Sequence, residues 1–347
     1  MLALHLTRGE GSGRLAEMTI DRATAEELDV HDPLAPWRHE FVINDPELIY
    51  LDGNSLGALP IGVHERVANV IDQQWGERLI RSWNESDWYN LPLSVGDRIA
   101  PLLGVGKGEV VVGESTSVSL FRVLAAALRL RGDRQVVVTE RENFPTDLYI
   151  LDGLRQLLPN VEVRFWDESV SPAAVLDGAG VLMLTHVDYR TGRIRDMGEL
   201  SAAAHAAGAL TVWDLSHSTG VLELDIARDG ADFAIGCGYK YLNGGPGAPS
   251  YTWVAPALIE QVRQPLEGWL GHKNPFAFVP EYEPAPGIRR FITGTQQVLS
   301  LAALDEALKL WEGISMSEIR RKSMAQTSRF VERVEAQCEG YGLTLIS

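Results

Sequence analysis

The sequence predicts an α/β protein built on a doubly wound, mostly parallel sheet, and three observations carry that prediction. Short apolar runs recur between residues 109 and 235, each about the length of a buried strand. Segments with helical spacing lie between several of them. Turn-forming and polar loops follow the ends of the runs, where open α/β sheets place their ligands.

The chain has 347 residues, long enough for two domains or for one large and one small. Its formal net charge of −16 argues against a nucleic-acid binder or a partner of anionic membranes, since both need a basic face. Cys237 and Cys338 are the only cysteines, which excludes a disulfide framework and leaves no zinc spacing. No apolar run approaches a transmembrane length and no signal pattern opens the chain, so a soluble cytoplasmic protein is the expectation.

Residues 1–30 are polar and weakly patterned, with disorder expected in the first dozen. Ile49 to Pro60 reads as a strand ending in the tight turn Asp52-Gly53-Asn54-Ser55. Residues 61–80 have helical spacing, followed by an aromatic loop with Trp83, Trp88 and Tyr89. Glu109–Gly113 is the first regular strand, and Glu114-Ser115-Thr116-Ser117 caps a helix to about Leu130. Strands are expected at Gln135–Thr139, Val161–Trp166, Val181–Thr185, Leu210–Trp213 and Phe233–Ile235. Helices are expected from the 142–147 loop to Leu158, at Met197–Ala207, and over 300–311 and 315–338. A last strand begins at Leu343–Ile346 and has nothing after it, so the chain reads as shorter than its relatives.

Three loops carry candidate chemistry. Ser115, Thr116 and Ser117 offer hydroxyls and backbone N–H groups at a helix N-terminus, an anion site that by itself is an ordinary cap. Asp214 ends an apolar strand, with His217 three residues on. Lys240 stands between glycines, in Gly236-Cys237-Gly238-Tyr239-Lys240-Tyr241 followed by Gly244-Gly245-Pro246-Gly247. Lysine is scarce here, five in the whole chain, and a partly desolvated amine is suited to Schiff-base chemistry. A strand-end carboxylate can pair with a protonated pyridine nitrogen and keep it an electron sink. No Walker A motif, third metal ligand or nucleophile elbow competes with this reading. Hydroxyl-bearing helix start, strand-end Asp and lone Lys, in that order, form the layout of a pyridoxal-phosphate enzyme of the aspartate-aminotransferase fold.

Beyond that layout, the sequence resembles the kynureninases from about residue 40 onward. The matching segments are YLDGNSLG at 50–57, LIRSWN at 79–84, STSVSLF at 115–121, ENFPTDLY at 142–149 and THVDYRTG at 185–192. WDLSHSTG at 213–220, GCGYKYLNGGPGAP at 236–249, GWLGH at 268–272 and FITGTQ at 291–296 complete the set. The resemblance implies fold type I, with a seven-stranded sheet in a large domain plus a small α/β domain. It divides the chain into an N-terminal segment, 1–57, that contributes to the small domain; a large cofactor-binding domain, 58–298; and the start of the small domain, 299–347.

By the same resemblance, Lys240 holds pyridoxal 5'-phosphate as a Schiff base, Asp214 holds the pyridine nitrogen, and Phe144 stacks on the ring. Thr116, Ser117, Tyr239 and Trp269 gather the phosphate, with Thr295 reaching in from the partner of a homodimer. Asp147, Thr185 and His217 line the ring's polar edge, and Tyr239 relays a proton. The implied reaction is hydrolytic Cβ–Cγ cleavage of L-kynurenine to anthranilate and L-alanine in tryptophan catabolism. Trp75-Gly76 and Thr295 resemble members that prefer kynurenine to its 3-hydroxy analogue. In the family, an arginine of the small domain that grips the substrate α-carboxylate lies past residue 347. A cysteine desulfurase-like or other fold type I enzyme, or an inactive cofactor-binding homologue, are the alternatives at this point.

Overall fold

The computed structural model describes residues 20–338, 340–343 and 345. Of the strand expected at Leu343–Ile346, Thr344 and Ile346 lie outside the described residues, and so do the first dozen residues of the chain.

Seven strands form one sheet: β1 (Val110–Val112), β2 (Val136–Glu140), β3 (Glu162–Trp166), β4 (Val181–Thr185), β5 (Leu210–Asp214), β6 (Phe233–Cys237) and β7 (Ser250–Val254). Their order is β1-β7-β6-β5-β4-β2-β3, and β7 alone runs antiparallel to its neighbours. Strands β4 to β7 are buried along their whole length, as strands covered on both faces must be.

Alternate side chains feed two cores. Val110, Val112, Leu182, Leu184 and Trp213 face one layer, with α3 (Leu91–Leu103), α6 (Met197–Ala206) and α7 (Val298–Leu308). Val111, Val181, Met183, Val212 and Phe233 face the other, with α4 (Thr116–Arg131) and α5 (Pro145–Leu157). The period of two in the strands therefore sorts helices to both faces, as a doubly wound sheet requires. The remaining long helices are α1 (Ile20–Val30), α2 (Ile61–Asn69) and α8 (Met316–Gln337).

Helix ends follow local chemistry. Ser115 caps α4 by accepting from Val118 N–H, and Asp196 caps α6 by accepting from Glu199 N–H at 2.8 Å. Pro145 sits at the start of α5, where its missing N–H costs nothing. Gly104 ends α3 at φ 71°, and a Cβ there would also lie 2.6 Å from the Leu224 carbonyl oxygen. No helix among the described residues is long and apolar enough to cross a membrane.

Two local expectations need correcting, and one helix had gone unassigned. Ile49–Leu51 is not a strand: among the described residues no partner strand pairs with it, and Ile49 and Leu51 are 81% and 85% exposed. The helical pattern over 61–80 breaks at Asn69 into a π-helix, Val70–Arg78, and then a 3₁₀ turn, Leu79–Arg81. Leu91–Leu103, which had no assigned element, is a helix that buries Val95, Ile99 and Leu103 on β1.

Candidate active site

Adjacent strands β4, β5 and β6 end side by side, with Thr185 in register with Asp214 and Asp214 with Ile235. Of the polar groups expected on the ring's edge, Thr185 ends β4 and His217 follows β5, while Asp147 comes from the first turn of α5, after β2. After β6 the chain turns through Gly238, and Gly244 N–H donates back to the Gly238 carbonyl at 2.9 Å, closing a loop with Lys240 inside it. The turn at Asp52–Gly57 packs on this loop. Gly57 N–H donates to the Tyr239 carbonyl at 2.9 Å, and a Cβ on Gly57 would lie 2.2 Å from the Lys240 carbonyl oxygen. Only glycine permits that approach.

Lys240 is buried, and its Nζ lies 2.9 Å from His217 Nε2. Burial, with the Lys240 charge adding to it, pushes the His217 imidazole down to about 4. The Asn54 backbone also hydrogen-bonds this ring, which leaves Nε2 to accept from the lysine. Lys240 Nζ stands 5.7 Å from the centroids of both the Phe144 and Tyr239 rings.

Two buried carboxyls complete the cluster. Asp214 accepts from Ser216 N–H at 2.8 Å, and burial raises its carboxyl above the usual range. Asp147, on the first turn of α5, is held well above that range by burial and then by the Asp214 charge. Thr185 Oγ1 lies 2.5 Å from Asn143 Oδ1 and 3.4 Å from Asp147 Oδ2. The Phe144 ring also meets Tyr189 edge-on at 5.1 Å. Tyr239 is half-buried, and burial raises its phenol.

Thr116 and Ser117 open α4 beyond the Ser115 cap. A cavity of about 480 Å³ lies at that helix start, walled by Ser115, Thr116, Tyr239, Gly247 and Gln297 among others. Trp269 and Thr295 are not on its wall. Trp269 donates from Nε1 to the Pro275 carbonyl at 2.5 Å and sits in an aromatic group with Phe276 and Phe278. Thr295 is exposed. The structure thus brings together Lys240, Asp214, Asp147, Thr185, His217, Phe144 and Tyr239, sets Thr116 and Ser117 at the neighbouring helix start, and leaves Trp269 and Thr295 off the wall of the cavity there.

These residues fit pyridoxal phosphate. Among the described residues neither Lys240 nor Asp214 makes an ion pair, although both are buried at one sheet edge. An isolated buried charge is costly, and a group with an aldehyde for the amine and a pyridinium for the carboxylate satisfies both. A phosphate matches the N–H groups at the start of α4. Sequence reasoning passed over two residues of this neighbourhood. Asn143 is buried under Phe144, but in sequence it reads as an ordinary turn residue before Phe-Pro. Gln297 reaches the cavity from the start of α7, and nothing in its spacing signals that.

Comparison with known proteins supports the same chemistry. The family model described as class-V aminotransferase matches residues 94–344. A kynureninase of Deinococcus radiodurans is 50% identical over 333 residues, covering 94% of this chain and 81% of its own. One from Pseudomonas fluorescens is 48% identical over 327 residues, with 92% and 78% covered. Among solved structures, a cysteine desulfurase of Thermococcus onnurineus NA1 superposes with a TM-score of 0.70 at 21% identity, over 90% of this chain and 76% of that one. A C-DES variant with glycine covalently linked to its PLP cofactor gives 0.73 at 18% identity, over 86% and 80%. At such identities these two structures establish a shared fold.

Proposed function

The chain belongs to the kynureninase family of the class-V aminotransferases, and on that premise we propose how its residues divide the work. It is a pyridoxal-phosphate-dependent hydrolase of carbon–carbon bonds with kynureninase function. The substrate we propose is L-kynurenine, cleaved between Cβ and Cγ to anthranilate and L-alanine. The desulfurase alternative rests on fold likeness alone, whereas the relatives near 50% identity are kynureninases.

When bound, the cofactor supplies an electron sink for charge developing at the substrate Cα. Lys240 would anchor it, and its amine is placed to take the proton from Cα and return one. Asp214 keeps the pyridine nitrogen protonated. Phe144 covers one face of the ring. Thr116, Ser117 and Tyr239 hold the phosphate at the start of α4, and Tyr239 also relays a proton between solvent and the reacting carbons. Thr185, Asp147 and His217 occupy the ring's polar edge, with His217 kept neutral so that it accepts from Lys240.

The observation that carries this reading is the burial of Lys240 and Asp214 at one sheet edge, without ion-pair partners among the described residues. Absorbance of purified protein with added pyridoxal phosphate tests the cofactor roles. A chromophore that persists in Lys240→Ala would overturn them. Release of anthranilate from kynurenine tests the substrate; sulfur release from cysteine instead would overturn that part.

We propose further that the enzyme is a homodimer with shared sites, residues 58–298 forming its large domain and 299–347 beginning the small one. The support is exposed apolar side chains at the π-helix and in the N-terminal turn: Trp75, Leu79 and Ile80 are exposed at 58%, 60% and 76%, and Ile49 and Leu51 at 81% and 85%. Apolar surface this rich is typical of a subunit interface. A second copy covering it is the route by which Thr295 reaches a neighbouring cofactor.

A further inference from the structure

Asn143 is buried in the turn between β2 and α5, and every polar atom of its side chain is in use. Its Nδ2 donates to Thr139 Oγ1 at 3.3 Å, and its Oδ1 accepts from Phe144 N–H at 2.7 Å. A backbone N–H can only donate, so this contact fixes which end of the amide faces Phe144. Thr185 Oγ1, 2.5 Å from the same oxygen, must therefore be the donor in that contact. A threonine hydroxyl has one proton. Thr185 Oγ1 is also in donor position to Asp147 Oδ2, but at 3.4 Å against 2.5 Å; with the proton given to the nearer Asn143, the oxygen facing Asp147 has only lone pairs to offer.

We infer that Asn143 is a positioning residue: by taking the single proton of Thr185 it leaves Asp147 facing an acceptor, so Asp147 is kept as the neutral acid and proton donor of the ring's edge. The inference rests on the cofactor site proposed above and assigns a further residue to it. The same amide holds the backbone of Phe144, so one side chain sets both the ring-covering aromatic and the protonation state beside it.

The surroundings divide, with the larger influences on the side of a neutral Asp147. Asp214, from β5, faces Asp147 with a like charge, and a backbone donor at 2.8 Å from Ser216 makes Asp214 the better carrier of the negative charge. Lys240, from the loop after β6, and the N-terminal end of α5 both favour an ionised Asp147. Burial opposes them and is the largest influence on this group. Two neighbouring carboxyls are thus pushed to different states by unequal donors, a pattern that assigns one as acid and the other as counter-ion.

The test is the titration of the Asp147 carboxyl in the full chain, with and without pyridoxal phosphate, followed by carboxyl-selective ¹³C NMR and assigned by loss of the signal in Asp147→Asn. Asn143→Ala frees the Thr185 proton for the carboxylate, so the midpoint falls by about one pH unit or more. In a Thr185→Val background there is no proton to redirect, and Asn143→Ala leaves the midpoint in place. Equal falls in both backgrounds would mean that water entry, not the hydroxyl, is responsible, and would overturn the inference. Thr185→Val alone keeps the matter decidable if Asn143→Ala fails to fold. Loss of an accepting hydroxyl leaves the midpoint unchanged or lower, whereas a rise shows that Thr185 donates to Asp147, against the inference. Absence of a cofactor chromophore would sink the site reading without touching these titrations, so the two failures are distinguishable.

Discussion

The strand-end cluster and the surface around residues 49–80 handle exposure in opposite ways. Around Lys240 the chain buries an amine, two carboxyls and an imidazole that water would solvate readily. Around the π-helix it exposes Trp75, Leu79 and Ile80, which water disfavours. Each arrangement is costly in contact with water, and different kinds of contact offset the two costs. The buried cluster wants a small molecule carrying an aldehyde and a cationic ring. The apolar surface wants another protein surface. Trp269 and Thr295 are not on the wall of the cavity beside Tyr239.

The sharpest way to break this contrast is within the cluster. Lys240→Ala removes both the anchor and the base, so turnover falls on the order of 10³-fold or more, and the lysine-dependent absorbance band disappears. Residual turnover near that of the parent would show that another group abstracts the proton. Asp214→Asn keeps shape and removes charge. It forfeits a charge-assisted contact of about 1.5–3 kcal/mol, weakening cofactor binding roughly 10–150-fold in a fluorescence titration. Unchanged affinity would separate Asp214 from the ring nitrogen.

The second region breaks differently. Ile80→Asp places a charge on the exposed apolar surface, and burying an isoleucine there is worth about 1.5–3 kcal/mol to association. Light scattering after size-exclusion chromatography is expected to show monomer where the parent shows dimer. Folding stability of the single chain changes by about 0.5 kcal/mol or less, as for other surface sites. A mixing experiment joins the two regions. If sites are shared, subunits carrying Lys240→Ala and subunits carrying Thr295→Ala combine into heterodimers with one intact site, restoring roughly a quarter of parental activity after random exchange. No recovery would place Thr295 on its own subunit's site or outside it.

How legible each region was follows from what encodes it. The helix starting at Thr116 could be read because Ser115 and the apolar spacing behind it are local signals. Asp214 and Lys240 could be read because strand ends are local too, and parallel pairing carries them to one edge. Ile49–Leu51 misled because its β-forming composition is local while the absent partner strand is not. The π-helix was unreadable for a similar reason: Gln74 turns inward, its backbone carbonyl accepting from Ser82 and its side chain from Trp88, and neither bond leaves a trace in periodicity. Asn143 escaped notice because its role depends on Thr185, which lies 42 residues away in sequence.

The smallest expected effect concerns the acid side of stability, where the buried cluster shows a cost that the exposed surface lacks. His217 and His186 are each held down to about 4 against an ordinary 6.5, both chiefly by burial. Between those values the unfolded chain binds protons that the folded chain refuses, so folding stability declines as pH falls through that window. The full slope per histidine is about 1.4 kcal/mol per pH unit, and partial solvent access trims it to about 1. His186 is the cleaner probe, because its Nδ1 meets Ser218 Oγ at 2.9 Å and its ring packs edge-on against Trp213, away from Lys240. Urea midpoints of parent and His186→Gln, measured at about pH 7 and about pH 5, are expected to diverge on the acid side, the variant losing roughly half as much stability. Equal losses would mean that other groups, with Asp147 and Asp214 foremost, govern acid unfolding.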